Sequence, residues 1–462
     1  MTKPKLPPNP YFQLPQRFDP AHYYGSRTLT DLTLQTTSDT PPRSIELIGL
    51  PGMGKSTLLR YLAHPHGALE RNKAALQPLF RAEPSLMLMV LVEFRLLPTD
   101  THPYGYLHDK FFSTYRNYLE QGKPTLKNLP ELLPAKEPLT PESATSAIEE
   151  ALTTLKQIGV RAAFLLDDFH LAFVKLTLPE TMRLRPWRDR GAFVISTEQR
   201  LDKVNAEAAG SPFFQTLPVV PFGGLTTAEA RRLVGDPASR AGWPFDSEDI
   251  DFTVEQAGTH PHLLIVAGEV LWGLRNSLRL PVAKRLVLSA DYPELLLGHF
   301  KERFTSTFQM YMEHLEETEK RALKAAFTGE ERAEHYPALA YLERLGLVEL
   351  VPDRGGYRSF SPLFGEFIQA AETFQAHPQQ EVVFPGIEGR LFQHLQRDPD
   401  KVYSFDELSQ SVWGESAADP AGRDLLQRRV QVAVSRLRKR LQKSGLGDVI
   451  SVRGKGYKLV IP

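Results

Sequence analysis

The sequence predicts an α/β protein with a parallel sheet, continued by a helical lid and a winged helix and ending in a second, C-terminal winged helix-turn-helix domain. Three observations carry this. Apolar strand-like runs alternate with helical stretches over the first half, helices closed by a strand-turn-strand follow, and that ending recurs at the C-terminus on a strongly basic background. At 462 residues the chain exceeds what one hydrophobic core supports.

Residues 1–40 are rich in Pro, Tyr and Thr and read as an irregular N-terminal arm. A core domain over 41–222 follows, in which Ser44–Ile48, Leu86–Phe94, Ala162–Leu166 and Ala192–Ser196 read as buried strands of a parallel sheet. The stretch Thr101–Ser143, broken by Pro124, Pro130, Pro134, Pro138 and Pro141, reads as a partly irregular insertion. Over 223–299 the pattern turns helical, with Thr226–Val234, Ser247–Ala257 and His262–Leu278. Residues 300–374 read as a winged helix: helices, then Leu345–Val351, an Asp353–Gly356 turn, and Tyr357–Phe360. A linker over 375–382 precedes the last domain, 383–462.

The first strand runs into Gly49-Leu50-Pro51-Gly52-Met53-Gly54-Lys55-Ser56-Thr57, the pattern G-x-x-x-x-G-K-S. Glycines at those positions let successive backbone N–H groups turn toward phosphate oxygens. Lys55 reaches the β and γ phosphates, Ser56 holds Mg²⁺, and the next helix aims its positive end at the anion. The motif therefore predicts a P-loop NTPase binding ATP or ADP with Mg²⁺ through Gly49 and Pro51 to Thr57. A second carboxylate site ends the strand Ala162–Leu166: Asp167 is assigned to Mg²⁺ and Asp168 to orienting the attacking water. Arg200, just past the strand Ala192–Ser196, is a candidate for stabilising charge during slow hydrolysis of ATP to ADP and phosphate.

Lys plus Arg and Asp plus Glu number 55 each, so no global field draws the protein to nucleic acid. No apolar run reaches the roughly 18 residues of a membrane span, and the N-terminus lacks a signal peptide's apolar core. A cytoplasmic protein without a membrane partner is expected. The absence of cysteine excludes disulfides, thiolate metal sites and cysteine nucleophiles.

The charge is uneven, however. From Ala421 to Pro462 eleven basic residues face two acidic ones. On a helix over Arg428–Gln442, Val430, Ala433, Val434, Leu437 and Leu441 share one side. Arg428, Gln431, Val432, Ser435, Arg438 and Lys439 fall roughly opposite, with Arg429, Arg436 and Arg440 along a flank. One face packs on a core and the other offers donors to double-stranded DNA. The hairpin Val449–Val460 carries Arg453 and Lys455 at its tip, suited to a minor groove.

With these residues in hand, residues 9–370 resemble the STAND branch of the AAA+-like P-loop ATPases, the signal-transducing switches that include MalT-type regulators. The resemblance rests on Tyr24-Gly25-Ser26-Arg27, on Gly49–Thr57, on Asp167-Asp168, and on Gly258-Thr259-His260-Pro261-His262, which is similar to the Gly-x-Pro lid motif. It implies that Gly25 and Arg27 touch the nucleotide and that Pro261 lies against the adenine, with His260 and His262 as lid packing. Ser26 separates Gly25 from Arg27, and the usual winged-helix histidine has no counterpart near Ser361-Pro362-Leu363.

Residues 383–462 resemble the OmpR/PhoB class of winged-helix effector domains. Glu388–Phe392, Phe405–Leu408, Val412-Trp413-Gly414, Arg428–Leu441 and Val452–Lys458 carry that likeness. It implies Arg428, Gln431, Val432 and Ser435 at the major groove, Arg436 and Arg438 on phosphates, and Arg453 in the minor groove. Together the two resemblances imply an ATP-dependent, DNA-binding transcriptional regulator, with a nucleotide-dependent homo-oligomer or a protein signal partner as further partners. The alternative is a DNA-acting assembly ATPase of mobile-element or phage-defence type.

Overall fold

The computed structural model describes residues 8–14, 18–72, 86–120, 130–132, 134–135, 139–278, 292–330, 332–351, 356–374, 391–392, 394–395, 401–413, 427, 430–438, 441, 448–452 and 456–460. The chain divides into two compact units, Met1–Thr373 and Phe374–Pro462.

The first unit is built on five strands: β1 (Ile45–Ile48), β2 (Met87–Glu93), β3 (Arg161–Asp167), β4 (Gly191–Thr197) and β5 (Val219–Pro221). They pair in parallel in the order β2-β3-β4-β1-β5. Every residue of β1 and β4 is buried, as a sheet covered on both faces requires, and the polar Glu46 accepts from the Thr197 hydroxyl at 2.9 Å. Because the strands are parallel, the loop after β1, the acids ending β3 and the polar end of β4 leave the sheet at one edge. Ligands of such sheets bind at that edge.

One face of the sheet packs Phe164 and Phe193 against helices Pro103–Glu120 and Pro141–Gln157 through Phe111, Ile148 and Leu152. On the other face, Leu47, Leu58 and Val194 belong to a core that continues through Leu263 and Trp272 into Phe300, Phe304, Leu347 and Phe364. Lid and winged helix thus share the core of the sheet. Phe300, Phe304 and Phe308 recur every four residues along the helix Pro293–His314 and are buried. Each such ring contributes about 2–3 kcal/mol on leaving water.

Several elements differ from the sequence expectation. The arm contains a helix, α1 (Arg27–Ser38), capped by Ser26. Threonine disguised it: the hydroxyls of Thr30, Thr33, Thr36 and Thr37 donate to carbonyls one turn back, satisfying groups that otherwise compete with a helix. Most of Thr101–Glu120 is also helical, because Pro124, Pro130, Pro134 and Pro138 fall beyond that helix and Pro141 opens the next one. β5 was hidden between Pro218 and Pro221, and prolines are tolerated at the edge of a sheet. The lid helix Thr227–Arg240 runs on past Val234 with Pro237 inside it. The helix Pro293–His314 passes unbroken through the expected boundary at 299/300.

Helices Glu317–Thr328 and Tyr336–Arg344 lead into the antiparallel pair β6 (Val348–Val351) and β7 (Gly356–Ser359), followed by the helix Pro362–Phe374. The expected Asp353–Gly356 turn lies mostly outside the described residues.

In the second unit a helix Phe405–Trp413, helical residues over 430–438 and the antiparallel pair β8 (Asp448–Val452) and β9 (Gly456–Val460) enclose Leu391, Leu408, Val430, Val434, Leu437, Val449 and Leu459. Gly456 has φ 134°, and a Cβ there would lie 1.9 Å from the Tyr403 carbonyl oxygen. Tyr403 and Tyr457 exchange two backbone hydrogen bonds beside it, at 2.8 and 2.9 Å. No helix among the described residues is long and apolar enough to cross a membrane.

Candidate functional site

The phosphate-loop motif sits between β1 and the helix α2 (Lys55–Ala63). Gly54 caps that helix in the left-handed conformation, with no side-chain cap on its first N–H groups. Gly52 has φ 78°, and a Cβ there would meet the His262 Cβ at 2.7 Å, so the lid's close approach depends on glycine. Lys55 is buried, and its Nζ donates to the carbonyls of Gly49 and Leu50 at 2.6 and 3.0 Å. Burial pushes its pKa down, opposed by the fields of Glu198, Asp168 and Asp167. The Gly49 N–H donates to the Thr197 carbonyl at 3.2 Å, tying the loop's start to β4.

At the end of β3, Asp167 accepts from the Ser196 hydroxyl at 2.6 Å and also bonds Ser56. The two groups assigned to a metal thus meet across the gap filled by β4. Burial raises the pKa of Asp167 and the neighbouring Asp168 adds to the effect, which nearby cationic charge would relieve. Asp168 is the non-glycine residue with positive φ among the described residues, at 51°. Its N–H donates to the Ser196 oxygen at 3.1 Å and its carboxylate accepts from Arg95 Nε at 3.0 Å, so strand and turn hold the strained residue from both sides.

Just past β4, Glu198 gathers Arg95 and two histidines, of which burial shifts His170 toward its neutral form. Its carboxylate lies 3.3 Å from His314 Nε2, 3.7 Å from His170 Nε2 and 4.0 Å from Arg95. Burial alone would raise the Glu198 carboxyl; bonding to His314 and the fields of Lys55 and His170 bring it below its usual pKa. The Glu198 bond raises that of His314 in turn.

Lys55, Ser56, Arg95, Asp168 and Glu198 border a cleft of about 1110 Å³, just above the roughly 300–1,000 Å³ of small-molecule sites, while His170 and His314 touch it only through Glu198. Gly25, Pro51, Gly52, Met53, Gly54, Lys55, Ser56, Thr57, Asp168 and Pro261 all line it, together with the apolar side chains of Leu14, Phe18, Phe222 and Ile265. Asp167 and Gly49 are not among the lining residues; they bond Ser56 and Lys55, which are. Two candidates are elsewhere. The Arg27 guanidinium is exposed beside Asp31 at 3.7 Å, and only its backbone N–H reaches the lid, at Glu229. Arg200 is exposed and paired with Asp202 at 2.9 Å.

The lid closes on the loop. His262 N–H donates to the Gly52 carbonyl at 3.2 Å. Two residues earlier, buried His260 donates from Nε2 to the Gly346 carbonyl of the winged helix at 2.8 Å. Its ring stacks on Phe360 at 3.9 Å, and burial drives its pKa down to about 4. His260 is fully buried, and His262 lines the cleft. Sequence reasoning missed Arg95, Glu198 and His314. The first two follow β2 and β4 at the ligand-binding edge, a position that nominates them; nothing in the pattern around His314 does so.

In the second unit Val430, Ala433, Val434, Leu437 and Leu441 are buried, while Gln431, Val432, Ser435 and Arg436 are exposed. Arg438 instead braces the hairpin, donating from Nε to the Val449 carbonyl at 2.7 Å and pairing with Asp448 at 3.2 Å. Arg428, Arg453 and Lys455 lie outside the described residues.

Comparison with known proteins assigns residues 379–459 to the family described as "Transcriptional regulatory protein, C terminal". A stretch of 90 residues is 39% identical to the phosphate regulon transcriptional regulatory protein PhoB of Rhizobium meliloti, covering 19% of this chain and 37% of that protein's length. Among solved structures, a Walker-type ATPase of Pyrococcus abyssi matches 80% of this chain and 99% of its own at 13% identity and a TM-score of 0.45. The ORC2 protein of Aeropyrum pernix matches 80% and 97% at 14% identity and a TM-score of 0.42. At these TM-scores neither likeness carries an argument, and the P-loop α/β fold rests on the chain's own strand order and loop.

Proposed function

We propose that this chain is a DNA-binding transcriptional regulator whose first unit reads the difference between ATP and ADP. One observation carries the reading: His262 is bonded to the phosphate loop at Gly52, and His260, two residues away, to the winged helix at Gly346. A change at the loop is therefore felt at the winged helix through less than one turn of chain.

The donor set fits a nucleotide polyphosphate. The helix α2 opens with no side-chain cap, Lys55 stands beside it, and Gly52 and Gly54 leave the loop backbone open to an anion. In this reading the loop N–H groups and Lys55 hold the phosphates, Ser56 and Asp167 hold Mg²⁺, and Asp168 orients water. Pro261 and the apolar side chains lining the cleft take the base. Bound Mg²⁺ supplies charge neutralisation between the phosphates. Arg95, which lines the cleft, takes the charge-stabilising part expected of Arg200.

The output is duplex DNA, contacted by Gln431, Val432, Ser435 and Arg436, and by Arg428, Arg453 and Lys455, which fall outside the described residues. Support comes from the family match over 379–459 and from the exposure of the four described residues. Nucleotide-dependent self-association, a protein signal partner, a cytoplasmic setting and the arm, core, lid, winged-helix and effector divisions expected from sequence belong to the same reading. Genome-wide footprinting of the purified full chain with ATP and with ADP tests it. Discrete protected sites that change with the nucleotide are expected; coverage with no sequence preference in either state overturns it.

A further inference from the structure

Glu198 is used by none of the roles above, yet it is the hub of the cleft's charged end. The groups around it come from separate elements: the cations Lys55 from α2 and Arg95 from the turn after β2, His314 from the last turn of Pro293–His314, whose charged form the carboxylate favours, and His170 from the helix after β3, which burial shifts toward its neutral form. The carboxylate side chain is 18% exposed and lines the cleft. A buried anion persists only where cations repay its lost hydration. Such a nest, at the mouth of a phosphate loop, has the charge and ligand count suited to a terminal phosphoryl group.

We propose that Glu198 is a built-in counterpart of the γ-phosphate, holding cations that a nucleoside triphosphate takes over and a diphosphate does not. This rests on the nucleotide reading above and extends it to how the site distinguishes the two ligands. The γ-phosphate adds negative charge beside Glu198, so carboxylate and phosphate compete for the same cations. His314 is the consequential one. The helix C-terminus favours its charged form, and Met310, one turn earlier, lines the cleft. The same helix carries Phe300, Phe304 and Phe308 in the shared core and joins the lid through Arg303 and Glu269 at 2.9 Å. Lys203, farther along the segment after β4, reaches Glu316 at 3.2 Å, so that segment grips the winged-helix region at two points. Exchange of Glu198 for phosphate at His314 therefore acts directly on the helix leading into the winged helix.

The test is equilibrium binding of ADP and of a non-hydrolysable ATP analogue to the full chain, wild type beside Glu198→Gln and His314→Ala. Wild-type protein that binds neither ligand refutes the nucleotide reading itself. Given wild-type binding, Glu198→Gln should raise the preference for the triphosphate about tenfold by removing the competing charge, and His314→Ala should lower it about tenfold by removing a cation. ADP affinity stays within about twofold of wild type in both. A purely structural role does not move the two preferences in opposite directions. Preferences that stay at the wild-type value, or shift the same way, overturn the proposal. Should His314→Ala lose ADP binding through misfolding, Glu198→Gln, which keeps the side chain's size, decides alone: an unchanged preference refutes the proposal.

Discussion

The winged-helix hairpins of the two units share a design and differ in where their polar groups go. Around β6 and β7 those groups face inward or cancel. The Gly346 carbonyl takes His260, Phe360 stacks on the same ring, Ser361 donates to the Gln256 carbonyl at 2.5 Å, and Glu349 pairs with Arg358 at 2.7 Å across the strands. Beside β8 and β9, the helical residues 430–438 bury their apolar side and leave Gln431, Val432, Ser435 and Arg436 outside. Under the proposed function, the same architecture couples the sheet to the lid where its loop ends are occupied, and reads DNA where one helix face is left polar and cationic. Charge sign and pairing separate these uses; backbone shape does not.

The sharpest way to break this contrast is to empty the input without touching the output. Lys55→Ala should weaken nucleotide binding at least about 100-fold, roughly 2.7 kcal/mol, by calorimetric titration, because the buried ammonium is lost from the loop. Thermal unfolding of the C-terminal unit should not change.

Next in size is the joint itself. His260→Ala should destabilise the first unit by about 2 kcal/mol in denaturant unfolding, through the cavity beside Phe360 and an unpaired Gly346 carbonyl. His260 also gives a pH signature. Its folded pKa of about 4 lies below the value of about 6.5 for an unfolded histidine, so between these the unfolded chain binds the extra proton. Its stabilisation is complete above about pH 6.5 and is lost as pH falls toward 4. His260→Ala should flatten that part of the stability profile.

In the second unit the comparison sharpens between two arginines two residues apart. Arg436→Ala should lower DNA affinity about tenfold and reduce the salt-dependence slope by about one, as loss of a phosphate contact does. Arg438→Ala should instead lower the unfolding midpoint of this unit, by about 1 kcal/mol, since its guanidinium holds the Val449 carbonyl. Smallest of all, Arg200→Ala should change stability by less than about 0.5 kcal/mol and leave nucleotide affinity unaltered, because its exposed pair with Asp202 is screened by solvent.

What the sequence makes legible follows from how local each signal is. The loop Gly49–Thr57 and the acids Asp167-Asp168 are contiguous patterns with one chemical use, and the buried side of 430–438 is a periodicity any helix must obey. α1 was illegible because its threonines count against a helix until their hydroxyls find carbonyls one turn back. The Glu198 cluster was illegible for another reason: residues 95, 170, 198 and 314 meet only after the sheet order β2-β3-β4-β1-β5 is formed. Arg438 shows the limit of a helical wheel, which orders residues around an axis but does not tell that the Val449 carbonyl waits beside one of them.

If the lid transmits the loop's occupancy to the C-terminal unit, nucleotide must change the grip of that unit on DNA. The most direct test is the affinity of the full chain for one footprinted site, measured with a non-hydrolysable ATP analogue and with ADP, in wild type and in Lys55→Ala. Affinities should differ by about tenfold, near 1.4 kcal/mol, between nucleotides in wild type and coincide in Lys55→Ala. Equal wild-type affinities in the two nucleotides, with both bound, would contradict transmission through the lid.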